Sequence, residues 1–371
     1  MWTSALALIA SALLAAHAAL AQAQTAAARP RILLYTKTAG YRHESIPIAI
    51  RTITSLGNGS LALPSSAIDP SISALRWSTV NTEDETQFHN YTFLSQFDAI
   101  GFLGTTDQDP PLTGTVLDNQ GMRNFARYIQ QGGNFFGIHS ASATLFGAPF
   151  YGRLVGAYFD YHPQIQNVTF KALNASHPST SRWPADGMHI YEEVYNFRSD
   201  PRNLPSPANL LVTNASTYED PHVNAQGFRN GTNGPPPLPL AWWRQGRLLD
   251  INSSTDASVS GGGGANIQVS GGPGRSWYTS LGHHSSTWQL NLFRGHIAGG
   301  IGWVLESSTS TSKQSTNGTS TTTSSSTALS STSSPSSKSN AAQQLSLMSV
   351  LPFTVFVSLV TLLLSSSATV L

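Results

Sequence analysis

The chain has 371 residues, a formal net charge of +1 and no cysteine. The near-zero charge leaves no basic footprint for nucleic acid or for an anionic lipid surface. Without cysteine there is no disulfide, no thiolate metal site, no iron–sulfur cluster and no cysteine nucleophile, so a folded domain must rest on its apolar core.

In chain order, residues 1–23 are an uncharged run rich in Ala, Leu and Ile that ends in Ala21-Gln22-Ala23. This is the small-x-small cleavage pattern of a secretory signal peptide. Residues 30–306 are long enough for one well-buried domain. Arg31–Thr36 is a short apolar run and reads as a buried first strand. Gly40-Tyr41-Arg42-His43 forms a loop, and Glu44–Leu56 has helical spacing at Ile46, Ile50 and Ile53. Leu75–Val80 and Phe97–Gly104 are the second and third strands. Asp118–Gln131 is a helix with Phe125, Tyr128 and Ile129 on one side, stopped by Gly132-Gly133, and Asn134–His139 is the fourth strand. Alternating strands and helices predict an α/β fold: a doubly wound, mostly parallel sheet with helices on both faces. After Tyr161 shorter strands are expected at Ile165–Leu173, Val194–Arg198, Leu210–Thr213 and Leu240–Arg244, with Gly- and Pro-rich excursions at 231–239 and 258–274. Arg275–Gly282 is another strand and Trp288–Leu305 a closing helix.

Ser and Thr make up 24 of the 32 residues from Ser307 to Lys338. Such a segment cannot offset its chain entropy by burial, which predicts a disordered, O-glycosylated stalk over 307–338. In the last part, 339–371, the small residues Ser339-Asn340-Ala341-Ala342 precede a polar spacer and the apolar tail Val350–Leu364. This is the signal for a glycosylphosphatidylinositol anchor, with Asn340 as attachment residue. A retained membrane span is the alternative; the tail falls short of the roughly 20 apolar residues a helix needs and lacks a basic flank. Eight N-x-Ser/Thr acceptors occur, at Asn58, Asn90, Asn167, Asn174, Asn214, Asn230, Asn252 and Asn317. The expected mature protein is a glycoprotein on the outer face of the plasma membrane or in the cell wall, joined to the membrane by its lipid anchor.

In an open α/β sheet the ligand crevice lies beyond the carboxyl ends of the strands. His43 follows strand one, His139 ends strand four, and His283-His284 follow the strand at 275–282. A single strand-end histidine is commonly a hydrogen-bonding anchor; three strand ends that each carry one point to a shared site. His139, His43, Glu193 and His283 are the catalytic candidates and equally the candidate ligands of a divalent metal such as zinc. Thr105 and Asp107 after strand three, Ser140, His162, Tyr195 and Trp242 are the candidate substrate contacts. Ser140 lacks the G-x-S-x-G spacing of a nucleophile turn. Trp242 suits either a sugar-stacking face or the core.

Several segments resemble, in order, the trehalose-utilisation (ThuA-like) family: Thr36–Ile46, Gly132–Ala141, Tyr151–Phe159 with His162-Pro163, His177-Pro178, Glu192–Tyr195, Pro239–Trp242, Gly274–His283 and Gly299–Trp303. The resemblance runs from about Arg31 to Leu305. It implies a flavodoxin-like fold of the class I glutamine-amidotransferase type. In amidotransferases the turn after the matching strand carries the catalytic cysteine; here it holds His139, and the chain has no cysteine, which excludes that chemistry. The resemblance also implies use of trehalose and related disaccharides through keto-sugar intermediates, and in some members a divalent metal. Two functions are expected: an enzyme acting on a small-molecule or glycan substrate of the glycoside or keto-sugar class, or a non-enzymatic carbohydrate-binding surface protein. The 231–274 insertions, the stalk and the anchor depart from the family pattern.

Overall fold

The computed structural model describes residues 29–108, 114–203, 208–221, 237–246, 248–249 and 274–315. The signal segment, Asn230, Asn252, Asn317, the stalk beyond 315 and the anchor signal with Asn340 lie outside them, as do the excursions at 231–236 and 258–273.

The elements run β1 (Arg31–Tyr35), α1 (Ile46–Asn58), β2 (Ser78–Thr82), α2 (Tyr91–Leu94), β3 (Ala99–Leu103), α3 (Asn119–Gln130), β4 (Asn134–Ile138), α4 (Pro149–Val155), β5 (Phe159–Tyr161) and β6 (Gln166–Ala172). They continue through β7 (Met188–Glu192), β8 (Asn196–Phe197), β9 (Ala208–Thr213), β10 (Pro239–Gly246), β11 (Gly274–Thr279) and α5 (Asn291–Ser315). One nine-stranded sheet has the order β2-β1-β3-β4-β11-β10-β9-β6-β7, and β5 pairs with β8 apart from it. From β2 to β11 all pairs are parallel. Read along the sheet, this half has the flavodoxin-type order, with the last strand of the chain in fifth place. From β11 to β7 the pairs are antiparallel. The short strands expected after Tyr161 build this extension, except that Val194–Arg198 contributes only β8 in the separate pair.

Both faces of the parallel half are covered, which is why its inner strands β1, β3 and β4 are mainly apolar rather than alternating, while the edge strand β2 is polar and partly exposed. Ile32 and Leu34 pack with α1 and α5 on one face. Leu33 and Tyr35 pack with α3 and α4 on the other. Each helix starts and stops where its local chemistry dictates. Pro47 sits in the first turn of α1, and Gly59 ends it with φ 83. Asp118 caps α3 by accepting from Gly121 N. Gly295, Gly299 and Gly302 let α5 lie against the segments at 67–72 and 178–179; a Cβ on Gly299 would strike the backbone of Pro178 and Ser179. The helical backbone continues to Ser315, into the start of the segment whose composition marks a stalk. Among the described residues no helix is long and apolar enough to cross a membrane. Of the described glycan acceptors, Asn58, Asn90 and Asn167 are exposed, whereas Asn174 and Asn214 are half-buried.

Candidate active site

The carboxyl ends of β1, β3, β4 and β11 face one cleft. The loop after β1 is pinned to the loop after β3: Ala39 N and Gly40 N donate to Thr106 O, and Thr106 Oγ1 donates to the Tyr41 carbonyl. Gly40 is obligatory there, because a Cβ would overlap the Asp107 carbonyl. This turn carries His43 into the interior. Ser45 Oγ donates to Gly282 O at 2.9 Å, joining the His43 loop to the His283 loop.

After β4 the chain turns sharply at His139, which takes a left-handed φ of 57°. The Tyr278 hydroxyl donates to the His139 carbonyl at 2.8 Å and holds the turn. The ring is fixed as well: Nδ1–H donates to Ser280 O at 2.7 Å, which leaves the Nε2 lone pair facing the cleft, where the Tyr195 hydroxyl donates to it at 3.2 Å. His43 Nδ1 lies 3.3 Å from Ser140 Oγ. The four catalytic candidates converge. The ring centroids of His43, His139 and His283 are 4.4 to 5.3 Å apart. One donor atom from each of these rings and one carboxylate oxygen of Glu193 all lie within 4.8 Å of one another.

Glu193 Oε1 is 3.1 Å from His162 Nε2 and 3.1 Å from His283 Nδ1, while Oε2 is 3.5 Å from His139 Nε2. Burial favours a neutral Glu193, but the facing imidazoles outweigh it and hold the carboxyl below its ordinary value. Burial first, then the neighbouring imidazoles, push His43 down to about 2. Burial likewise pushes His139 down to about 4, against the pull of Glu193 and the Ser280 carbonyl. Burial would lower His283 too, but the Glu193 and Glu192 carboxylates raise it above its ordinary value. At neutral pH His43 and His139 are therefore neutral imidazoles beside an ionised Glu193, whose charge favours the protonated form of His283; a zinc-like cation would take these N and O donors in place of that proton.

Three further details fit a cation. His139 and His162 both commit Nδ1–H to backbone carbonyls, those of Ser280 and Pro163, so in their neutral forms they turn lone pairs, not protons, toward Glu193. His283 also turns its buried Nδ1 to Glu193, 3.1 Å from Oε1. Metal-ligating histidines characteristically hold their second nitrogen on a carbonyl or similar partner, the arrangement His139 shows.

A cleft of about 800 Å³ opens over this centre. Of the candidate substrate contacts, Ser140, Asp107, His162 and Tyr195 line it. Two expectations are corrected. Thr105 is fully buried with its hydroxyl on Thr144; its neighbour Thr106 is the residue on the cleft wall. Trp242 is a core residue: Nε1–H donates to Val155 O and its ring packs on Tyr278 and Phe197. Asp107 lines the cleft but spends its carboxylate on Val116 N and Thr115 Oγ1. The sequence reading missed Tyr41, Phe146, Phe159, Asp160 and Arg198 on the walls. Tyr41, within the His43 loop, and Phe159-Asp160, just before His162, stood beside residues already singled out.

No curated protein matches the chain. Among solved structures, a ThuA-like protein of Bacteroides uniformis is similar at 16% identity and a TM-score of 0.49, over 75% of this chain and 93% of that one. Another, of Parabacteroides merdae, is similar at 15% identity and a TM-score of 0.46, over 75% and 90%. The sequence pattern of the ThuA family, described as trehalose utilisation, matches residues 31–304, from the first strand into the last helix. The chain therefore belongs to the ThuA family.

Proposed function

We propose that the protein is a surface-anchored enzyme that holds a divalent metal, zinc by its donor set, on His43, His139, Glu193 and His283 and acts on a glycoside or keto sugar in the cleft above. The observation that carries this reading is the convergence of three imidazoles and one carboxylate within 4.8 Å at the strand ends. Bound zinc supplies Lewis acidity toward a sugar oxygen. The protein's own groups do the rest. The exposed face of Tyr41 and the ring of Phe159 suit the apolar face of a pyranose, and Asp160, Gln108 and Arg198 suit its hydroxyls. His162, the half-exposed imidazole at 3.1 Å from Glu193, connects the centre to solvent and is the group that exchanges protons with it. The surface location is supported by the signal-peptide pattern, the glycan acceptors, the stalk and the apolar tail.

Metal analysis of the purified glycoprotein, with turnover of trehalose, glucosides and their keto derivatives measured before and after chelation, tests the reading. One equivalent of zinc and chelator-sensitive turnover are expected. Sugar binding without turnover by the metal-loaded protein would replace the enzyme with the carbohydrate-binding protein. Release from intact cells by a phosphatidylinositol-specific phospholipase is expected; retention beside a released control would make the tail a membrane helix.

A further inference from the structure

Glu192 is the last residue of β7, where Met188, Ile190 and Glu192 alternate on the buried side of the strand and His189 and Tyr191 on the exposed side. A carboxylate at a core position is costly unless its oxygens are fully bonded. Glu192 is 0% exposed. Its Oε1 accepts from Glu193 N at 3.1 Å and from His283 N at 3.1 Å. Its Oε2 accepts from Thr287 Oγ1 at 2.9 Å and from Gly282 N at 3.3 Å. One carboxylate thus grips the backbone of two of the four converging residues, which come from distant parts of the chain. The grip reaches a third through Gly282, whose carbonyl accepts from Ser45 Oγ, two residues from His43. Gly282 has φ 121°, so the turn that presents its N–H to Glu192 is one that favours glycine. Among the described residues β7 is an edge strand of the sheet, paired only with β6. The Glu192 bonds, not the ladder, are what tie its end to the 282–287 turn.

We infer that Glu192 is a positioning residue that presets the metal centre, fixing Glu193 and His283 in place before any ion arrives; the inference rests on the metal centre proposed for this site. Glu192→Gln keeps the shape but turns an amide NH2 toward donors that need an acceptor. Thr287→Val leaves the carboxylate and removes one donor.

The test uses chelator-stripped full-length protein: zinc titration against a competing chelator, the visible spectrum with cobalt(II) in place of zinc, and the melting temperature of the metal-free forms. Glu192→Gln is expected to raise the zinc Kd roughly 10- to 100-fold and to alter the cobalt spectrum, with Thr287→Val giving a smaller rise. A loss of packing alone would lower the melting temperature and leave the cobalt spectrum as in wild type, and that result overturns the inference. If Glu192→Gln does not fold, Thr287→Val decides: unchanged zinc affinity and spectrum overturn it. A wild-type protein that binds neither zinc nor cobalt overturns the metal centre and the inference with it, a failure distinct from a wild type that binds beside variants that bind equally well.

Discussion

Replacing His139 by alanine and by glycine separates what its ring contributes from what its backbone costs. Both variants lose the Nδ1–H bond to Ser280 O and leave that carbonyl buried without its donor, which costs about 1–3 kcal/mol. Both also lose the ring packed against His43 and Tyr195. They differ at the backbone. A φ of 57° costs a residue with a Cβ about 1–2 kcal/mol and glycine nothing. Glycine ordinarily loses about 0.5–1 kcal/mol to alanine through the entropy of the unfolded chain. Strain relief is the larger effect, so His139→Gly should be the more stable variant by up to about 1.5 kcal/mol, the reverse of the usual order. Urea unfolding with a chelator present measures this free of any metal contribution. At about 2–4 °C per kcal/mol for a domain near this size, a melt resolves it too. His139→Ala equal to or more stable than His139→Gly would show that the turn after β4 is not held left-handed, and the account of how the ring is aimed would fall with it.

Zinc at a hundred times its Kd should raise the unfolding free energy by about 2.7 kcal/mol, and His43→Ala should remove that gain while the metal-free melt still shows a folded protein. In α5, Gly299→Ala gains about 1 kcal/mol in helix propensity. Its Cβ meets backbone at Pro178 and Ser179 that cannot rotate away, so a net loss of about 1–3 kcal/mol is expected; a rise in the urea midpoint would contradict the close packing. Burial holds His177 and His296 neutral, down to about 3 and about 4 against an ordinary 6.5. Below pH 6.5 the unfolded chain takes up protons that the folded one refuses, so stability falls with pH, by up to about 1.4 kcal/mol per unit for each residue. Glu192, lifted to about 7 by burial, and His283, held up by the neighbouring carboxylates, work the other way, but His43 and His139 are lowered by burial as well and keep the balance on the side of loss. A melting temperature in chelator that is no lower at pH 5 than at pH 7.5 would refute this balance.

The parallel half and three of its strand-end histidines were legible because a strand buried on both faces announces itself as an unbroken apolar run, and the polar residue that follows stands out. What the sequence left open was decided by register. Thr105 and Thr106 differ by one residue, and only the exit path of β3 tells which faces the cleft. Trp242 and Trp243 are likewise adjacent; the pleat sends Trp242 to one core and Trp243 toward the other. β7 escaped notice because its exposed His189 and Tyr191 interrupt an apolar pattern that closes on a carboxylate. The pairing of β11 with β4 is invisible to any local reading, since Phe135 meets Ser276 across about half of the domain's length.

That pairing has a consequence for biosynthesis. β11 is the last of the described strands to be made, yet it lies between β4 and β10, both of which exist before it. Until residues 274–279 emerge, β4 and β10 each present an open edge, and His139 has no carbonyl to anchor its ring. The two halves of the sheet cannot be joined piecemeal from the N-terminus as the chain is extruded, and the decisive contacts are among those of greatest sequence separation, which form slowly. A chain interrupted before β11 would leave β4 and β10 unpaired on that side and would lack both His283 and the Ser280 carbonyl that anchors His139. The open edges of such a nascent chain are exposed to the fate of unpaired strands, and the protein acquires its chemistry only once β11 and the turn that carries His283 have been made.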